Sequence, residues 1–203
     1  MINLFLLFCM SVGLFAMIGY MRGWQKEVIA LSGLVGAIAV LQQFGYEVVS
    51  FLGFVPSDGA GLEELADARR QQIYLQSLFF LVIVFFSYQV VTRLAVSASG
   101  GRLGERLRSG LERKVIGMFV GTLNGYLVIG SLWSFLEYVP VPAGYERLLP
   151  GVEYPFDPTV VIRPAIDTFA LAFAEYLPMG IFNPTFWLIL FFVTFFIVIV
   201  ALV

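Results

Sequence analysis

The last twenty residues, 184–203, read PTFWLILFFVTFFIVIVALV. Such a run carries no turn signal and almost no side-chain hydrogen-bonding capacity. Its length suits a helix crossing hydrocarbon, where about 20 apolar residues are needed, better than it suits a buried strand, which is rarely longer than ~8. Four further stretches have the same character: 2–20, 27–43 (extending toward 54), 73–96 and 114–138. Composition agrees. The chain is 60% apolar and only 13% charged, whereas soluble domains are about 25% charged. The expected fold class is therefore an all-α polytopic membrane protein. It has about five transmembrane helices plus short interfacial helices.

The first apolar run lacks a preceding Lys or Arg and a convincing small-residue cleavage site, so it is expected to be a retained span rather than a signal peptide. The single Cys9 lies inside that run and His is absent. An intramolecular disulfide is excluded, a cysteine-rich metal site is not expected, and Cys9 reads as a small apolar packing residue.

The charges sort by segment. Eight of the twelve cations fall after the first span and between the third and fourth: Arg22, Lys26, Arg93, Arg102, Arg106, Arg108, Arg113 and Lys114. Only three of the fourteen acids accompany them. Cytoplasmic loops are enriched in Lys and Arg, so the N-terminus is expected outside, both basic segments inside, and the C-terminus cytoplasmic. This gives a four-helix membrane core over 1–139 with a basic cytoplasmic linker at 97–113. An extracytoplasmic loop follows at 140–183, and an additional C-terminal transmembrane helix at 184–203. In the linker, Leu103, Leu107 and Leu111 recur at four-residue spacing between arginines. That pattern fits an amphipathic helix in anionic headgroups, with Arg102, Arg106, Arg108 and Lys114 as lipid contacts; a solvated loop is the alternative. The outer loop between the second and third spans is expected to hold turn residues and a short polar helix. The loop at 140–183 is proline-rich and expected to be irregular at first. An interfacial helix should then run over 164–177, from Pro164 to a stop at Pro178.

Between the first two spans lies GYMRGWQKE, residues 19–27. Gly19 and Gly23 permit a sharp turn, Arg22 and Lys26 hold it on one side of the membrane, and Glu27 suits the start of the second helix. In the fourth span Gly117, Gly121 and Gly125 share one face, a ridge that lets another helix approach closely. Ser32 with Gly36, and Gly33 with Ala37, offer a partner ridge on the second helix. The ridges serve packing within one subunit, a homo-oligomer seam, or a hinge between moving helices. Asn124 lies about ten residues into its helix, near mid-membrane at ~1.5 Å per residue, and Ser87 and Gln89 add polar groups on the third span. These residues bridge helices or line a polar cavity. No Asp or Glu falls near the middle of a span, which argues against a proton relay. Trp187 could anchor the outer end of the last helix.

No catalytic constellation, metal site, phosphate-binding loop or cofactor motif is present, so neither an enzyme nor a nucleic-acid binder is expected. On its motifs the chain resembles the colicin V production (CvpA) family of small bacterial inner-membrane proteins. Gly19, Arg22, Gly23 and Glu27 match the family's Gly-x-x-Arg-Gly-x-x-x-Glu motif. Gly117, Gly121 and Gly125 match the glycines of its Asp-Arg-x-x-Gly-x-x-x-Gly-x-x-Arg-Gly motif, in which Arg113, Lys114 and Asn124 stand here for the acid and the two arginines. The resemblance covers roughly residues 1–178. It implies an inner-membrane protein acting in export, toxin (colicin V) production or membrane homeostasis through protein or lipid contacts. An accessory or scaffold subunit and a small-solute transporter or channel remain alternatives. The expected partners are the bilayer and either another protein or a second copy, met through 184–203 or the glycine ridges.

Overall fold

A computed structural model describes residues 3–56, 59–91 and 110–202. Helix α1, Leu4–Arg22, starts where the Asn3 side chain accepts a hydrogen bond from the Leu6 N–H at 3.1 Å, satisfying one of the helix's unpaired donors. It ends at Gly23, and α2, Trp24–Phe51, begins at the next residue. The whole turn is thus one glycine. Its φ of 82° and ψ of 155° fall where a Cβ is strongly disfavoured. Gly23→Ala is therefore expected to lower stability by about 1–3 kcal/mol, read as an earlier thermal unfolding midpoint in detergent.

Helix α3, Leu62–Phe86, continues into a π-helical turn at Ser87–Val91. The polar helix expected in the preceding loop and the third span are one continuous helix. No glycine or proline interrupts Leu62–Phe86, and its polar first half finds partners inside the protein. Gln72 donates to the Phe54 carbonyl at 2.8 Å, and Arg69 to the Phe135 carbonyl at 2.7 Å. Helix α4, Leu111–Glu137, runs back along α1. Expectations for the linker at 97–113, including lipid contacts by Arg102, Arg106 and Arg108, fall outside the described residues except for its end. There Leu111 is exposed at the start of α4.

After α4 the chain forms an antiparallel hairpin, β1 Tyr138–Val141 with β2 Gly144–Arg147, where an irregular path was expected. Pro140 is tolerated because a two-stranded ribbon is all edge, and Pro142 sits in the turn. The interfacial helix is also shorter than 164–177. Thr168 caps α5, Phe169–Phe173, by accepting from the Leu171 N–H, and a 3-10 turn follows at Ala174–Tyr176. Pro164 precedes the helix, and Pro178 opens α6, Pro178–Ile181, rather than stopping a helix.

Helix α7, Pro184–Leu202, lies against α2. Phe191 packs at Gly36, and Ile29 packs with Val198. Trp187, expected at the membrane interface, is instead 2% exposed in the core. Cys9 is exposed on α1 rather than packed.

The fold is mostly helical. Among the described residues four helices are long and apolar enough to cross a bilayer: Leu4–Arg22, Trp24–Phe51, Leu62–Gln89 and Leu111–Glu137. The described part of the apolar run in α7, Pro184–Ile199, is shorter than these four, and the sequence stays apolar beyond it. Much of the large apolar surface faces outward, including Met10, Met17, Phe85, Phe119, Phe192 and Phe196. In water such a surface would drive association; in hydrocarbon it is matched.

Candidate functional site

The turn motif is folded into one buried cluster. Glu27, in the first turn of α2, is fully buried. Arg22 at the end of α1 donates from Nη1 to its Oε1 at 2.8 Å. Asn124 of α4 donates from Nδ2 to Oε2 at 2.8 Å and to the Glu27 carbonyl at 3.0 Å. The Tyr88 hydroxyl, in the π-helical turn, donates to Oε2 at 3.1 Å. Arg22 also donates to the Tyr88 carbonyl at 3.2 Å, and its guanidinium lies 4.6 Å from the Tyr88 ring centre. One carboxylate thus joins α1, α2, α4 and the end of α3. A buried charge is tolerated only when paired and hydrogen-bonded, and both conditions are met here.

Gly19 closes the last turn of α1, its carbonyl accepting from the Gly23 N–H at 2.9 Å, and it is also a close contact for α4. The glycine ridge of α4 meets α1 and not the small residues of α2. A Cβ at Gly121 would stand 2.5 Å from the Phe15 carbonyl oxygen and 2.8 Å from the Gly19 Cα, and one at Gly117 2.5 Å from the Gly19 carbonyl oxygen. Gly125 lies against Phe15 and Val12. On α2, Ser32 is buried, while Gly36 serves α7 and Gly33 lies against Ser87. Ser87 is buried, Gln89 is exposed, and the Lys114 ammonium lies 5.4 Å from the Tyr20 ring centre.

A second buried carboxylate closes the other end of α4. Glu137, fully buried, accepts from Arg163 twice, Nη2 to Oε1 at 2.6 Å and Nε to Oε2 at 3.0 Å. It also accepts from Arg147 Nε at 3.0 Å and from the Tyr154 hydroxyl at 2.9 Å. The remaining Arg163 donors meet the carbonyls of Leu148, Leu149 and Val152. Arg147 also holds Glu175 at 2.8 Å and the Leu171 carbonyl at 2.7 Å. A cavity of about 680 Å³ opens beside Arg147, Arg163, Asp167, Thr168 and Glu175. All five Arg163 donors there are committed, as are three of the five of Arg147, so the arrangement is a clasp on the loop. None of Glu137, Arg147, Arg163, Tyr154 or Tyr88 was singled out from sequence. The available signal was an acid at a helix C-terminus, where the dipole disfavours it and calls for nearby cations.

Burial, then the charge of Glu137, pushes the Tyr154 hydroxyl well above its ordinary value. For Arg147 burial is the largest single influence and lowers it, but the hydrogen bonds and charges of Glu137, Tyr138 and Glu175 together outweigh burial and hold it above its ordinary value. A raised folded value means that the protonated phenol's contribution is fully present below pH ~10 and lost as pH rises toward the folded value. The thermal midpoint is expected to be flat to about pH 9.5 and to fall above it. In Tyr154→Phe that fall should be shallower, because one of the buried phenols no longer titrates.

Among the described residues no group of three or more His, Cys, Asp or Glu is placed to hold a metal ion. Long apolar helices, outward apolar surface and internally neutralised charges define a polytopic helical membrane protein. More particularly, the chain belongs to the colicin V production protein family, whose sequence model matches residues 5–149. No curated protein and no solved structure matches it significantly. The match ends before Arg163, α5, α6 and α7.

Proposed function

We propose that this chain is a non-enzymatic inner-membrane protein acting in export or membrane homeostasis through lipid or protein contacts. Its N-terminus would be outside and its C-terminus, after a fifth span, inside. The observation that supports this reading is the fate of the buried charge. Glu27 and Glu137 are fully buried and each is neutralised by arginines of the same chain. What the protein offers to others is therefore its apolar flank and its basic end. Asn124, fully buried with its Nδ2 donating to Glu27, weighs against a pore at that position. A second reading, an accessory subunit docked through α7, is favoured by the exposed face of Ile189, Phe192 and Phe196 and by the position of α7 beyond the family match.

Mild-detergent purification from native membranes, with intact mass and subunit composition, tests the choice. The first reading expects a monomer or small homo-oligomer carrying lipid. Stoichiometric foreign subunits would replace it with the second.

A further inference from the structure

The geometry points to a binding site for an anionic glycerophospholipid in the groove between α1 and α3, at the end of the bundle that holds the Gly23 turn. The groove, about 480 Å³, is lined by Phe15, Ile18 and Arg22 of α1, Lys26 of α2, Val84 and Phe85 of α3, and Tyr88 with Gln89 of the π-helical turn. Its chemistry is layered along the helix axis. Arg22 and Lys26 stand at the rim, beside the turn, with the exposed Gln89 amide. Phe15 lies seven residues further along α1, ~10 Å deeper at helical rise, and with Ile18, Val84 and Phe85 forms an apolar wall. A phosphate at the level of the turn with an acyl chain below it reproduces that order.

Charge selects the head group. Glu27 lies fully buried behind Arg22 and balances it. Lys26 is half-buried at the rim and has no ion-pair partner among the described residues. The rim is therefore net positive. By sequence the segment 92–109, outside the described residues, supplies one acid, Glu105, against Arg93, Arg102, Arg106 and Arg108. A second copy in the same orientation would set one basic rim against another, since most acids lie in the segments at the other end. An anion supplied by the surrounding leaflet fits best.

This site deepens the lipid-contact branch of the function proposed above and rests on it. The test uses the full chain in an uncharged detergent. Bound dioleoylphosphatidylglycerol and dioleoylphosphatidylcholine are counted by native mass spectrometry, for wild type, Lys26→Glu and Val84→Trp. The expected result is phosphatidylglycerol favoured by about fivefold or more. The preference should be lost in Lys26→Glu, binding of both lipids weakened in Val84→Trp, and millimolar inorganic phosphate should not compete. Equal binding of the two lipids by the wild type, a preference unchanged in Lys26→Glu, displacement by phosphate alone, or a lipid-free dimer that closes the groove would each overturn the site. Foreign subunits in the native particle bear on the broader reading and leave head-group selectivity measurable in the isolated chain.

Discussion

Replacing Glu137 by alanine is expected to destabilise the protein by about 3–5 kcal/mol, the range for removing one partner of a buried ion pair. Arg163 is 8% exposed and directs two donors at the carboxylate. Without Glu137 it is a buried cation held only by the carbonyls of Leu148, Leu149 and Val152. Arg147 suffers less. It is partly exposed and keeps Glu175, an exposed partner whose pairing is worth about 1 kcal/mol at most. Glu137→Gln should fall between wild type and alanine, because the amide oxygen still accepts one bond. Thermal unfolding in detergent checks the order. Wild-type stability in Glu137→Ala would mean that the loop after α4 is held by other contacts.

Gly121→Leu is expected to lose about 3 kcal/mol, the upper end of the usual overpacking range. The added atoms would meet the Phe15 carbonyl oxygen and the Gly19 Cα. Both are backbone, so no side-chain rotation relieves the clash, and α1 must move off α4. Gly13→Leu is the control: nothing lies within 4 Å of a Cβ there, and the midpoint should not fall, since leucine also favours the helix over glycine. Equal, small effects at both positions would show that α1 and α4 are not in backbone contact.

The helices were legible because a span in hydrocarbon must be long and apolar. The α4 glycine ladder was legible because small residues four apart share a face. Its partner was not. α1 contributes one glycine, Gly19, and the backbone of Phe15, which leaves no second ladder in the sequence, whereas the small residues of α2 looked like one and serve Ser87 and Phe191 instead. The motif Gly19, Arg22, Gly23, Glu27 was legible as a turn. That Glu27 is also the acceptor for Asn124, 97 residues away in sequence, needed the packing of α4 beside α2. Glu137 finds Arg163 26 residues later, across a hairpin and a proline-rich segment, and no local spacing reports such a pairing. Continuity of α3 is a related case: Arg69 and Gln72 read as part of a separate short polar helix before the third span until their carbonyl partners are known.

Arg22 and Glu27 act as one buried unit pinning α1, α2, α4 and the π-helical turn together. A double-mutant cycle of Arg22→Met and Glu27→Gln measures that unity, with unfolding free energy in detergent as the readout. Each single change is expected to destabilise, and the double change to destabilise less than their sum, with a coupling of about 1–3 kcal/mol. Additivity within about 0.5 kcal/mol would contradict it, and the two residues would then be separate ornaments of the turn.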